Sequence, residues 1–261
     1  MTSREPRVGE RMGVVTLVGG GPGDPGLVTV AGRDAIAAAD VILTDRLVPQ
    51  AALEWARPGA EIIDVAKVPG GRSTDQDEIN RLLIEHAKAG NDVVRFKGGD
   101  SFVFGRGGEE LLACADAGIE ARVIPGVSSA TAVPAVAGIP LTHRGLTQAF
   151  TVVSGHVPPG HPDSTVDWTT LARAGTTIVV LMGVRTLAAI ADALVNGGLD
   201  PTTPAVVVAD GTLPSQRVVR ADVATIAAAA HEARIAPPAV TVIGDVAALD
   251  LPVLDSTGHD A

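Results

Sequence analysis

Apolar positions in the first half of the chain follow two alternating rhythms. Short β-branched runs, VVTLV (14–18), VILT (41–44), EIIDVA (61–66), DVVRF (92–96) and ARVI (121–124), are separated by stretches at helical spacing, VTVAGRDAIAAAD (28–40), DEINRLLIEHAKAG (77–90) and GEELLACADAG (108–118). The alternation predicts βαβ units and therefore a mainly parallel sheet flanked by helices. Within 77–90, Ile79, Leu82, Leu83 and His86 keep the i, i+3, i+4, i+7 spacing of one helix face; Ser73 with Gln76 offers a capping box and Gly90 a stop.

The rhythm changes at PGVSSATAVPAVAGIPLTHRG (125–145), a stretch rich in proline, glycine and small residues. Beyond it TTIVVLM (176–182), PAVVVADG (204–211), SQRVVRAD (215–222) and AVTVIGD (239–245) read as strands, and VRTLAAIADALVNGG (184–198) and ADVATIAAAAHEA (221–233) as helices. The short spacing around DGTLPSQ suggests a hairpin, so this second sheet is expected to be mixed. The expected organisation is an N-terminal α/β domain over 12–124 and a C-terminal α/β domain over 125–250, with loose termini at 1–11 and 251–261.

Composition narrows the function classes. Hydrophobic residues make up 46% of the 261 and charged residues 19%, the balance of a compact globular chain. A formal charge of −10 without a Lys/Arg cluster argues against nucleic acid. No apolar run reaches the roughly 20 residues of a membrane helix, and the N-terminus lacks the apolar core of a signal peptide, so the expected location is cytoplasmic. The single cysteine, Cys114, reads as an inert core thiol. His161 and His231 have no partners at metal-ligand spacing.

Two glycine-rich loops follow strands. In GGGPGDPG (19–26), Gly21, Gly23 and Gly26 satisfy G-x-G-x-x-G, and Asp45 stands about where a ribose-binding acid would. Against a phosphate cradle, Pro22 and Pro25 have no N–H, and Asp24 places negative charge where the pyrophosphate would lie. Asp24-Pro25 suits a helix start, with the aspartate as N-cap and proline at N1. The loop is therefore a tight strand-to-helix turn or one wall of a site for a ligand without phosphate, with a dinucleotide site as the least favoured of the three readings. The second loop, KGGDSFVFGRGGEE (97–110), has glycines that permit close backbone approach and an acid, Asp100, suited to a cationic or hydroxylated ligand. On spacing alone Arg106 and Glu109 read as a solvated i, i+3 pair.

Six motifs occur in order: VTLVGGGPGDPGLVTV, ADVILTDRLV, KGGDSFVFGRGGEE, VIPGVSSATAVPAVAGIPLTHRG, VSGH and LMGV. On these the chain resembles the tetrapyrrole methylases, from about Gly13 to Leu249, and FGRGGEE with PLTHRG is similar to the branch that C-methylates uroporphyrinogen III. The resemblance implies a two-domain tetrapyrrole methylase fold of class α/β, with a mainly parallel N-terminal sheet and a mixed C-terminal sheet. It also implies S-adenosylmethionine in the cleft between the domains, S-adenosylhomocysteine as product, no metal, and a homodimer. The implied reaction is two successive methyl transfers to uroporphyrinogen III, giving precorrin-2 through precorrin-1 for sirohaem or cobalamin-type synthesis. A later precorrin methyltransferase of the same fold is the alternative. No dehydrogenase or chelatase domain precedes the methylase region, so the expectation is methylation alone.

Carried over position by position, the resemblance places cofactor contacts at Pro22, Gly98, Gly99, Asp100, Val103, Ser128, Ser129, Met182, Gly211 and the backbone near Thr241. It makes Asp45 the proton acceptor and Lys67 the proton donor, and it puts Arg106, Glu109, Arg144 and His156 on the substrate, with Arg106 also considered as the base. Arginines suit a substrate with eight carboxylates, because each can form a bidentate charge-assisted pair. Asp45 equally suits a turn cap, Lys67 a solvated loop, Arg144 beside His143 a surface pair, His156 a loop histidine and Met182 a core position. Thr44 replaces a frequent tyrosine, Ala66-Lys67-Val68 a more usual Gly-Lys-Arg, and Ser101 a common proline.

Overall fold

The computed structural model describes residues 11–66, 75–249 and 251. The chain divides into two compact units, with the division between Ser128 and Ser129.

In the first unit, β1 (Val15–Gly19), α1 (Val30–Ala38), β2 (Val41–Thr44), β3 (Glu61–Asp64), α2 (Gln76–Lys88), β4 (Val93–Lys97), α3 (Gly107–Asp116) and β5 (Ala121–Ile124) build a five-stranded sheet of order β3-β2-β4-β1-β5. Every pairing in it is parallel, which bears out the βαβ reading. β1 and β4 lie inside the sheet and are buried along their whole length. Their side chains alternate between two cores. Leu17 and Val93 join Ile79, Leu83 and Ala87 of α2 and Cys114 of α3 on one face. Val18, Val94 and Phe96 join Ile36 of α1 and Ala52 of the 3₁₀ stretch Gln50–Trp55 on the other. Cys114 is a free, buried thiol, pushed above its ordinary pKa by burial and then by the charge of Glu110.

The start of α1 corrects the sequence reading. Asp24 does cap a turn, accepting the Gly26 N–H at 2.7 Å with Pro25 at its first position, but that turn is a separate 3₁₀ piece, Pro25–Leu27. Val28 and Thr29 are extended, and the helix begins at Val30, where Thr29 Oγ1 accepts the Gly32 N–H at 3.0 Å. A β-branched Val-Thr pair resists helix, and the threonine satisfies an orphan donor better as a cap than inside the first turn. α2 carries Gln76, Ile79, Leu83 and Ala87 on its buried face; Ser73, the proposed half of its capping box, lies outside the described residues.

In the second unit, α4 (Ser129–Val136), β6 (Phe150–Ser154), α5 (Trp168–Arg173), β7 (Thr177–Leu181), α6 (Leu187–Gly197), β8 (Pro204–Ala209), β9 (Arg217–Asp222), α7 (Ile226–Glu232) and β10 (Ala239–Ile243) surround a sheet of order β6-β7-β10-β8-β9. Only β6 and β7 pair in parallel; β10 runs antiparallel to β7 and β8, and β8 and β9 form the expected hairpin. The mixed sheet is therefore as the sequence implied. α4 was not anticipated, because Pro134 sits inside it. The helix forms nonetheless, since Ala130 and Val133 bury against Val179, Val206, Val208, Val240 and Val242, and such packing outweighs local propensity. Among the described residues no helix is long and apolar enough to cross a membrane.

Candidate active site

The connections after β2 and β4, which are neighbours, leave in opposite directions and on opposite faces. β2 runs on to the edge strand β3 past the 3₁₀ stretch on the α1 side, and β4 runs through α3 to the other edge strand, β5. Such a switch point opens a crevice at the carboxyl ends of the strands. Four loops meet there. Gly20 N–H donates to the Lys97 carbonyl at 2.7 Å, and Gly21 and Gly99 exchange both backbone hydrogen bonds at 3.1 and 2.7 Å. A Cβ on Gly126 would stand 2.2 Å from the Gly99 carbonyl oxygen, and one on Gly98 would stand 2.8 Å from the Leu47 Cβ. Glycine is required at both positions because backbone passes within contact distance of backbone.

These contacts close the dinucleotide reading of the opening loop. The Gly20 and Gly21 N–H groups already serve Lys97 and Gly99, that of Gly26 serves Asp24, and Pro22 and Pro25 have none. A pyrophosphate would find few of the donors it needs.

In the loop after β4, Asp100 braces the backbone with both oxygens: Oδ1 accepts the Phe102 N–H and Oδ2 the Gly126 N–H, each at 2.9 Å. The loop presents Phe102, Val103 and Phe104 to solvent, and Phe104 and Arg106 both hold the left-handed conformation at φ of 54° and 58°. Non-glycine residues kept in this region mark a backbone that its surroundings over-determine. Arg106 is paired with Glu109 as a two-pronged fork, Nε to Oε1 at 2.9 Å and Nη2 to Oε2 at 2.6 Å. That hydrogen bonding lifts the Arg106 pKa and lowers that of Glu109. The guanidinium is thus held in the geometry that accepts a carboxylate, and an incoming carboxylate could exchange with Glu109.

Asp45, in the loop after β2, uses Oδ1 to accept the Leu47 N–H at 3.1 Å, while Oδ2 lies 3.6 Å from Arg95 Nη2; its side chain is 30% exposed. Sequence reasoning missed what lies beneath. Arg95 Nε and Lys97 Nζ both donate to Glu110 Oε1 at 3.0 Å, and Gln76 Nε2 reaches the same oxygen at 3.3 Å. All four residues are buried. Burial, and after it the charge of Arg95, holds the Lys97 ammonium below the ordinary lysine pKa, partly opposed by Glu110. The signal was present in VVRFK: an arginine and a lysine at i, i+2 on one face of a buried strand require a buried acid opposite them.

In the second unit, β6, β7 and β8 point the same way, so His156, Met182 and Gly211, which follow them, share one edge of the sheet. His156 is exposed, Met182 is exposed with φ of 58°, and a Cβ on Gly211 would lie 2.4 Å from Val133 of α4. Ser129 opens α4. Arg144 is exposed in a tight turn where His143 and Thr147 exchange backbone hydrogen bonds. Thr241 is buried at mid-strand in β10, opposite Val180 and Val207, and is not brought to that edge. Pro22 and Ser128 belong to the first unit's loops; Lys67 lies outside the described residues. Among the described residues no group of three or more His, Cys, Asp or Glu is arranged to hold a metal ion.

Residues 14–227 match the family described as Tetrapyrrole (Corrin/Porphyrin) Methylases. An S-adenosyl-L-methionine-dependent uroporphyrinogen III methyltransferase of Methanosarcina barkeri is 48% identical over 234 residues, covering 90% of this chain and 92% of that protein. The uroporphyrin-III C-methyltransferase of Thermus thermophilus, solved with S-adenosylhomocysteine, is 41% identical with a TM-score of 0.76 and covers 90% of this chain and 98% of that one. A cobalt precorrin-4 methyltransferase from cobalamin biosynthesis is 28% identical with a TM-score of 0.81, covering 90% of this chain and 95% of its own. By the extent of these matches, and with the sheets expected of that fold, the chain belongs to the tetrapyrrole methylases.

Proposed function

We propose that this protein methylates uroporphyrinogen III at carbon, using S-adenosylmethionine, twice in succession to give precorrin-2 through precorrin-1, as a homodimer. The observation that carries the reading is the 48% identity, over nearly all of both chains, with a relative named for that substrate and cofactor. The geometry agrees with it. The glycine loop after β1 has few N–H groups to offer a phosphate, which suits a sulfonium cofactor that has no phosphate. Pro22, Gly98, Gly99, Asp100, Val103 and Ser128 would hold that cofactor in the first unit, and Ser129, Met182 and Gly211 are the contacts proposed for the second.

When bound, S-adenosylmethionine supplies a methyl group already activated by its positive sulfur. The protein's own task is then alignment of an electron-rich pyrrole carbon, an effect worth up to about 7–11 kcal/mol. Arg106 fixes a substrate carboxylate in its fork, releasing Glu109, with Arg144 and His156 as further substrate contacts. Asp45 accepts the proton that must leave for the ring to regain conjugation.

Incubation with uroporphyrinogen III and labelled S-adenosylmethionine, followed by the product mass, should show a gain of two methyl groups; no gain overturns the proposal. Arg106→Ala should abolish turnover with S-adenosylhomocysteine binding near normal, and loss of that binding would mean Arg106 is misplaced. The TM-score of 0.81 with the precorrin-4 enzyme favours one second reading, methylation of an already methylated precursor. That reading requires transfer to such a precursor and none to uroporphyrinogen III.

A further inference from the structure

We propose that Arg95 is a positioning residue for methyl transfer: it holds the Asp45 carboxylate in place from beneath, and is itself locked by Glu110. The inference rests on the reading above, in which Asp45 takes the proton.

The guanidinium of Arg95 has little freedom. Nε donates to Glu110 Oε1 at 3.0 Å, Nη1 donates to the carbonyl oxygens of Leu43 at 3.3 Å and Phe96 at 3.2 Å, and Nη2 is left facing Asp45 Oδ2 at 3.6 Å. The arginine side chain is 4% exposed, against 30% for Asp45. The cation is therefore a fixed post, and the carboxylate at the crevice is the partner that must come to it. Two anchors then define the carboxylate, the Leu47 N–H on Oδ1 and Arg95 on Oδ2.

Charge balance points the same way. Among the described residues the buried cluster holds two cations, Arg95 and Lys97, against a single anion, Glu110. The second negative charge within reach of Arg95 is Asp45, so the cluster attracts that carboxylate in one orientation. A trio of buried charges is not needed for stability, since apolar residues of similar volume commonly do as well. A pre-set base is what the trio provides, and preorganised groups are the ones that accelerate a reaction.

The test compares wild type, Arg95→Lys, Arg95→Met, Asp45→Asn and the double variant Arg95→Lys/Asp45→Asn. Arg95→Lys keeps charge and bulk but loses the fork, and should lower kcat on the order of 10²-fold, the scale of a 1 Å misplacement. The KM for uroporphyrinogen III and the affinity for S-adenosylhomocysteine should stay unchanged. In the Asp45→Asn background the same substitution should have no further effect, because residues acting as one unit are not additive. Arg95→Met should be at least as impaired as Arg95→Lys. The proposal is overturned if the two losses multiply, if cofactor affinity falls together with kcat, if Arg95→Lys keeps full activity, or if Arg95→Lys no longer folds. A wild-type protein that transfers no methyl group would instead remove the functional reading, and this inference with it.

Discussion

Glu110→Gln is the sharpest test of how the first unit is built. Glu110 is fully buried, and its Oε1 receives Arg95, Lys97 and Gln76 at 3.0, 3.0 and 3.3 Å. The amide is nearly isosteric and still offers an oxygen, so packing is kept and the change isolates the charge. It leaves two buried cations with Asp45, 3.6 Å from Arg95 and partly exposed, as the nearest counter-charge. Removing one partner of a buried pair costs about 3–5 kcal/mol. With a urea m-value near 2 kcal/mol/M the unfolding midpoint should fall by about 1.5–2.5 M. Tryptophan fluorescence in a Trp168→Phe background reads the first unit alone, because the chain has two tryptophans and the other, Trp55, lies on the α1 face of the first sheet. As a control, Arg81→Ala, which removes exposed pairs with Glu78 and Glu85, should change the midpoint little. Replacing Arg95, Lys97 and Glu110 together by methionine should recover most of the stability lost in Glu110→Gln. A midpoint shift below about 0.3 M for Glu110→Gln, well under the expected loss, would refute the buried-charge account.

Gly126→Ala drives a Cβ to 2.2 Å from the Gly99 carbonyl oxygen; it should destabilise by about 1–3 kcal/mol and weaken S-adenosylhomocysteine binding, measured by calorimetry. Arg106→Gly removes a left-handed strain of roughly 1–2 kcal/mol but adds unfolded-chain entropy of about 0.5–1 kcal/mol, so the urea midpoint should hardly move while methyl transfer is lost. The Lys97 pKa is lowered on folding, by burial first. Between that folded value and the ordinary lysine value the unfolded chain binds more protons, so this group's contribution to stability rises with pH across the window and is lost as pH falls through the folded pKa. Lys97→Met should flatten that alkaline rise in a series of urea midpoints; an unchanged slope would show that Lys97 does not cause it.

The parallel sheet was legible because βαβ alternation leaves few other options, and β1, β2, β4 and β5 lie where VVTLV, VILT, DVVRF and ARVI placed them. What failed was local. α4 was hidden by Pro134, and α5, six residues long with an Asp167 cap, is too short to show a helical period. β6 does not read as a strand in the sequence, where only its last two residues fall in the motif VSGH, because Phe150–Ser154 has an exposed start and a mostly half-buried remainder. In each case tertiary packing decides, and packing is not written in a local window. The buried charges of β4 were a different miss. DVVRF counts in the sequence only as a β-branched run, whereas strand alternation puts Arg95 and Lys97 on the face of Val93, which packs with Leu83 and Cys114.

The loops show why the capping and functional readings of an aspartate are not alternatives. Asp24, Asp45, Asp64 and Asp100 each use Oδ1 to accept the N–H two residues on, from Gly26, Leu47, Ala66 and Phe102, at 2.7, 3.1, 2.9 and 2.9 Å. This local turn is what the sequence signals, since aspartate after a strand commonly closes one. It occupies one oxygen, and the role of the residue is decided by the other. In Asp100 the second oxygen accepts the Gly126 N–H and ties two loops together. In Asp45 it faces a buried arginine across 3.6 Å, on a side chain that remains 30% exposed. A carboxylate tied by both oxygens to backbone is a brace. One tied to backbone by a single oxygen, with its other set against a fixed cation at a crevice, is the arrangement that the proposed proton transfer to Asp45 requires.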